Sequence, residues 1–104
     1  MTTIKNTNKS SIMLATEALE EGNLVSFPTE TVYGLGGDAT NNLAIAKIFE
    51  TKNRPEFNPL IIHFASFDQI EENCEINDDI KKLNDLFWPG PMTIILKKKK
   101  ESKI

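Results

Sequence analysis

The sequence is short of the residues that build several kinds of site. Its 104 residues include one cysteine, Cys74, one histidine, His63, one tryptophan, Trp88, and one tyrosine, Tyr33. A single cysteine excludes an internal disulfide and a cysteine-rich zinc centre, and it suits a reducing compartment. A lone histidine without a second histidine or cysteine close by offers no transition-metal ligand set, so no metal site is expected. No apolar run approaches the roughly 20 residues of a membrane span. The polar opening from Met1 to Ser10 lacks the apolar stretch of a signal peptide. The expectation is therefore a cytoplasmic protein with no membrane partner. A basic excess is missing too: 12 Lys and Arg against 15 Asp and Glu leave a net charge of −3. That balance argues against avid, non-specific binding to nucleic acid, which depends on neutralising phosphates. The one basic block, Lys97 to Lys100, reads as a solvated loop or tail rather than a nucleic-acid patch. Glycine and proline, five of each, form no linker, and no internal repeat is visible.

What is present is the composition of a small globular domain, 39% hydrophobic and 26% charged. The pattern alternates helix and strand. From a capping serine, Ser10 or Ser11, the spacing of Ile12, Ala15 and Leu19 predicts a helix to Glu21, stopped by Gly22. Leu24 to Phe27 reads as a buried strand ending at Pro28. Asn41 or Asn42 caps a second helix carrying Ile45, Ile48, Phe49 and Lys52, and Pro55 ends it no later than Arg54. Leu60 to Phe64 reads as a second strand, and Ser66 with Gln69 as a capping box. A further helix starts at Asp78, whose carboxylate favours the positive end of the helix dipole, and runs through Ile80, Leu83 and Phe87 to a stop at Pro89. Thr93 to Leu96 reads as a third strand. This alternation predicts an α/β domain with its strands in one sheet. Three strands make a thin sheet, and the last lies close to the final residue, so the expectation is a domain interrupted.

Several segments carry groups capable of chemistry. Phe27 to Gly37, Phe-Pro-Thr-Glu-Thr-Val-Tyr-Gly-Leu-Gly-Gly, follows a strand with hydroxyls (Thr29, Thr31, Tyr33), a carboxylate (Glu30) and glycines. It is a ligand loop at a strand end or a tight turn with ordinary hydroxyl caps. It matches neither a Walker loop nor a dinucleotide fingerprint. Lys52 and Arg54, at a helix end before Asn58, form either a phosphate clamp or cations stabilised by the helix dipole. His63, inside an apolar run, is a ligand contact or a hydrogen-bonded structural residue. Phe87 to Thr93, with Pro89, Gly90 and Pro91, is a stiff corner whose Trp88 either packs or stacks on a base. Lys47 is expected to be solvated.

Together these segments resemble the YrdC-like domain family, which contains the threonylcarbamoyl-AMP synthases. The family's Pro-Thr-Glu/Asp-Thr, short gap and Tyr-Gly-Leu stands here as Pro28 to Leu35. Its Lys-x-Arg is Lys52-Asn53-Arg54, its Asn-Pro-Leu-Ile-x-His is Asn58 to His63, and its Trp-Pro-Gly-Pro-x-Thr is Trp88 to Thr93. The resemblance implies a truncated YrdC-like α/β twisted open sheet with flanking helices, residues 1–104 being the N-terminal half of the domain and the C-terminal half absent. It implies synthesis of threonylcarbamoyl-adenylate from L-threonine, bicarbonate and ATP with Mg²⁺, without a prosthetic group. A partner transferase would then act on tRNA. Mapped by motif, Thr31 and His63 would contact threonine, and Lys52, Arg54 and Asn58 would hold ATP; no general base is named. The family's Ser-x-Asn signature is not found, so the ATP site needs a complementing half, and the isolated chain is expected to self-associate. Two other readings remain: a non-catalytic remnant, and the carbamoyl-adenylate-forming domain of a hydrogenase-maturation carbamoyltransferase. Absence of zinc-finger cysteines speaks against the latter.

Overall fold

The computed structural model describes residues 3–53 and 59–104. The chain divides into two compact units, Met1–Leu60 and Ile61–Ile104.

The first unit begins with helix α1 (Lys9–Glu20). Its cap is Asn8, whose side chain accepts from Ser11 N–H at 2.9 Å, so the serines expected to cap lie inside the first turn. At the other end Gly22, at φ 85°, turns the chain left-handed. Gly22 N–H bonds Leu19 O and Asn23 N–H bonds Ala18 O, the paired bonds by which a glycine closes a helix. The expected apolar stripe is only partly covered, with Ile12 58% exposed and Ala15 and Leu19 half-buried.

Strand β1 (Val25–Phe27) pairs antiparallel with β2 (Gly34–Gly36), in register Val25 with Gly36, Ser26 with Leu35 and Phe27 with Gly34. The sheet is a two-stranded hairpin, and β1 is half-buried to exposed rather than buried. The glycines have a packing reason. A methyl group at Gly34 would lie 2.9 Å from the Phe27 ring, and one at Gly36 would lie 3.0 Å from it, so the ring lies over the bare backbone of the facing strand. Such an aromatic–glycine pair offsets the poor strand propensity of Gly-Leu-Gly.

Helix α2 (Asn42–Lys52) is capped by Asn41, which accepts from Leu43 and Ala44 N–H, and it ends on Asn53 at φ 50°. Asparagine tolerates that left-handed conformation better than most residues. The unit's small core forms where α2 meets the chain after β2: Ala44 and Ile48 are buried, and a methyl at Gly37 would lie 3.0 Å from Leu24 and 3.3 Å from Ile48. Lys47 is not purely solvated, since its Nζ donates to Gly22 O at 3.1 Å.

Leu60, the last residue of the first unit, and Ile61 to Phe64, the first of the second, form no strand, contrary to expectation. An apolar run reports a tendency to bury, whereas a strand also requires a ladder partner that the run does not encode. Helix α3 (Phe67–Asn73) is capped by Ser66, and Gln69 Oε1 accepts from Ala65 N–H at 2.8 Å, one residue before the expected capping-box partner. Helix α4 (Asp78–Phe87) starts at Asn77, which accepts from Ile80 N–H, with Asp78 and Asp79 in its first turn.

Thr93 to Leu96 likewise forms no strand, and Ile95 is 98% exposed. The pairing falls just beyond it, in a bridge between Cys74 and Lys98, with Glu75 N–H on Lys97 O and Lys99 N–H on Asn73 O, both at 2.8 Å. The lysine block is therefore held by its backbone rather than free as a tail. Lys99 also donates to Glu71 O. Ile70 and Cys74 are the buried apolar residues of this unit. Among the described residues no helix is long and apolar enough to cross a membrane.

Candidate functional site

The motif after β1 becomes the connection 28–33 between the two hairpin strands. Pro28 cannot donate to a ladder, so pairing stops at Phe27. Beyond it the chain is organised by one hydroxyl. Thr29 Oγ1 donates to Val32 O, accepts from Thr31 N–H at 3.3 Å, and lies 3.5 Å from Thr31 Oγ1. Thr29, Glu30 and Thr31 are exposed, as are Val32 at 73% and Tyr33 at 74%. The segment thus presents hydroxyl, carboxylate and aromatic groups outward from the hairpin.

Past β2 the chain makes a second polar turn. The Asp38 carboxylate accepts from Thr40 Oγ1 at 2.7 Å and from Thr40 N–H at 2.9 Å. These two bonds, the hydroxyl's first, hold the Asp38 carboxyl below the usual carboxylate range against a small opposing effect of burial. The turn delivers Asn41 to the start of α2. At the far end of α2, Lys52 stands exposed in the last turn, where the negative end of the helix dipole favours a cation.

The structure places Thr31 and Lys52 in the first unit, on the hairpin connection and on the end of α2. It places His63 in the second unit, where the side chain is exposed. Arg54 and Asn58 lie outside the described residues. The Trp88 corner has a plain structural account. The indole Nε1–H donates to Met92 O at 2.7 Å, and a methyl at Gly90 would lie 2.4 Å from Phe87 O. Only glycine fits there. Two shallow, open grooves lie in the second unit, one lined by Glu71, Cys74, Glu75 and Lys99 and the other by Ile76, Ile80, Ile95 and Leu96. Neither includes a motif residue.

Sequence reasoning passed over Thr29 as an organising group and Asp38–Thr40 as a turn. The available signal was the Ser/Thr/Asp tendency to bond backbone two residues on, visible at Thr29-x-Thr31 and Asp38-x-Thr40.

Comparison with known proteins gives this arrangement its context. The Sua5/YciO/YrdC family model, described as telomere recombination, matches residues 17–104. The threonylcarbamoyl-AMP synthase of Pyrococcus abyssi is 52% identical over 88 residues, which is 84% of this chain and 26% of that protein. The Bacillus subtilis protein of the same name is 47% identical over 92 residues, 88% of this chain and 27% of its own length. The crystal structure of P. abyssi Sua5 complexed with L-threonine superimposes with a TM-score of 0.84 at 47% identity, covering 92% of this chain and 28% of that one. The expected YrdC-like α/β architecture is borne out by that likeness, although two of the strands expected from the sequence are not formed. This chain spans about a quarter of the length of these relatives. With the family model matched from residue 17 to residue 104 and relatives at this level of identity over most of its length, the chain belongs to the Sua5/YciO/YrdC family.

Proposed function

We propose that this chain forms part of an L-threonylcarbamoyladenylate synthase, which combines L-threonine, bicarbonate and ATP and so serves threonylcarbamoylation of tRNA by a partner transferase. The observation that carries the reading is the 47% identity, over 92% of the chain, to a structure solved with L-threonine. In the reaction, the threonine amine takes up bicarbonate with loss of water to give a carbamate. A carbamate oxygen then attacks the α-phosphorus of ATP, and pyrophosphate leaves with the electron pair of the broken P–O bond. Such a displacement is accelerated mainly by positioning and by stabilising charge on the phosphates.

The residues suit those tasks. Thr31 sits on a hairpin connection that faces outward, and with His63 it would hold threonine. Lys52, Arg54 and Asn58 would hold ATP, the Arg54 guanidinium as a planar fork and the Lys52 ammonium as a point charge. Mg²⁺ would arrive with ATP as part of the substrate. Because the chain spans about a quarter of its relatives, the 104 residues are proposed to supply the N-terminal portion of the domain, with the remaining stretch of the domain completing the ATP site.

The test is pyrophosphate release with threonine, bicarbonate, ATP and Mg²⁺, omitting each in turn. It is run on the 104-residue chain alone and on the chain mixed with the portion of a relative that it does not match. Threonine- and bicarbonate-dependent release only in the mixture is expected. Robust turnover by the chain alone would contradict a divided site, and release independent of threonine in the mixture would contradict the substrate assignment.

A further inference from the structure

We propose that the second unit carries the seat for the remaining portion of the domain, which docks there by adding a strand beside residues 93–96 and covering the apolar stripe of α4. The inference rests on the proposed function, in which such a portion completes the ATP site, and it adds the surface on which the two meet. Thr93-Ile-Ile-Leu96 has the composition of a strand. The bridge between Cys74 and Lys98 holds the chain just beyond it, but among the described residues no backbone hydrogen bond reaches residues 93–96. Thr93 and Ile95 are exposed while Ile94 and Leu96 are half-buried, the alternation of a strand with one covered face. Unpaired N–H and C=O groups in such a segment are a template for a further strand.

Helix α4 continues the surface. Ile80, Leu83 and Phe87 fall on one stripe with Leu86 beside it, yet no residue of α4 is buried, and Leu86 is 74% and Phe87 53% exposed. Ile80 joins the stripe to the segment, since it lines one shallow groove with Ile95 and Leu96. A contiguous apolar surface of this kind marks an interaction site. Its occupant is more chain of the same domain rather than a second copy of this one. About three quarters of the length of the P. abyssi and B. subtilis relatives lies outside the stretch that this chain matches. Self-pairing fails on register. An antiparallel pair centred on 93–96 sets Met92 opposite Lys97 and Pro91 opposite Lys98. The ladder then meets a residue without an N–H, and the exposed Lys97 and Lys98 find no carboxylate on the facing strand. A parallel pair would stack lysine on lysine. The strand that fits is apolar opposite 93–96 and acidic opposite Lys97 and Lys98.

The experiment mixes the 104-residue chain with the portion of the P. abyssi protein that it does not match, reading complex formation by sedimentation and amide protection by hydrogen exchange. Wild type should bind, and the amides of Ile94, Ile95 and Leu96 should pass from fast exchange to protection. Ile95→Ser should weaken the complex about 10–100-fold, the range for one large aliphatic side chain fully buried on binding. Ile95 is 98% exposed in the chain alone, so the melting temperature of that chain should not change. Ile4→Ser, at a side chain 92% exposed in the first unit, should leave the complex unchanged. No complex with wild type, a complex in which the 94–96 amides stay unprotected, equal affinities for the Ile95→Ser variant and wild type, or a chain that dimerises by itself through these amides would each overturn the inference. A complex that forms as expected but shows no threonine-dependent pyrophosphate release would instead overturn the proposed function and leave the docking surface standing.

Discussion

The connection 28–33 and the corner 87–92 are written in the same turn-forming vocabulary of proline, glycine and an aromatic ring, yet they dispose of their polar groups in opposite ways. In the corner, the indole N–H closes on Met92 O and Gly90 rests against the Phe87 carbonyl. Its hydrogen-bonding capacity is used internally. In the connection, Thr29 bonds the local backbone, while Glu30, Thr31 and Tyr33 remain exposed. A turn that satisfies itself through one side chain and leaves the next ones outward is suited to meet a ligand. A turn that closes on its own largest side chain is suited to fix a chain reversal. The distinction lies in where hydrogen bonds end rather than in composition.

The sharpest way to break this comparison is with added methyl groups. Gly90→Ala places a methyl 2.4 Å from a backbone oxygen that cannot move without disturbing the end of α4, and should cost about 2–3 kcal/mol. Gly34→Ala meets only the Phe27 ring at 2.9 Å. That ring is 42% exposed and free to swing aside, so the overpacking cost should stay at about 1 kcal/mol or less and is partly offset by the better strand propensity of alanine. Urea denaturation of both variants checks the order. Equal losses would mean that the corner is no more constrained than the hairpin.

A paired substitution comes next in size. Trp88→Phe leaves Met92 O without its indole donor and should cost about 1 kcal/mol of stability with threonine affinity intact. Thr31→Val should do the reverse, lowering threonine affinity several-fold with thermal stability unchanged. Denaturation and calorimetry on both proteins would show crossed effects if the two turns differ in kind. His63→Ala belongs with Thr31: the side chain is exposed, so threonine binding should weaken while the melting temperature stays fixed. His63→Asn should keep part of the affinity through its amide. A melting temperature that falls without a change in threonine binding would restore the structural reading of this histidine.

The smallest effect concerns pH. The Asp38 carboxyl is held below its ordinary range by the Thr40 hydroxyl and N–H. A carboxyl whose folded pKa is depressed adds stability above its unfolded value, near 3.9, and loses it as pH falls through the lower folded value. Asp38→Asn should therefore flatten the acid limb of the stability–pH curve slightly below about pH 4 and change nothing at neutrality. An unaltered acid limb would show that Thr40 does not hold the carboxylate in solution.

Helix starts were the most legible features, because capping is local. Asn41 and Ser66 each accept from the N–H groups they face. α1 began earlier than expected because Asn8 precedes the serines as cap. Strands were read poorly for a physical reason. Gly34–Gly36 has almost no strand propensity and pairs because Phe27 covers it, whereas Leu60 to Phe64 and Thr93 to Leu96 have strong propensity and form no ladder here. Of the site, the motif residues were readable through family resemblance. The turn contacts of Thr29 were not, since they depend on how the chain folds that hydroxyl back onto the backbone of Thr31 and Val32.

The most direct test of the contrast between the two turns is a titration of the full chain with L-threonine followed in ¹H–¹⁵N spectra. The amides of Thr29 to Tyr33 should move in a saturable way while the Trp88 indole N–H stays fixed. Movement of the indole with silence across Thr29 to Tyr33 would contradict the account.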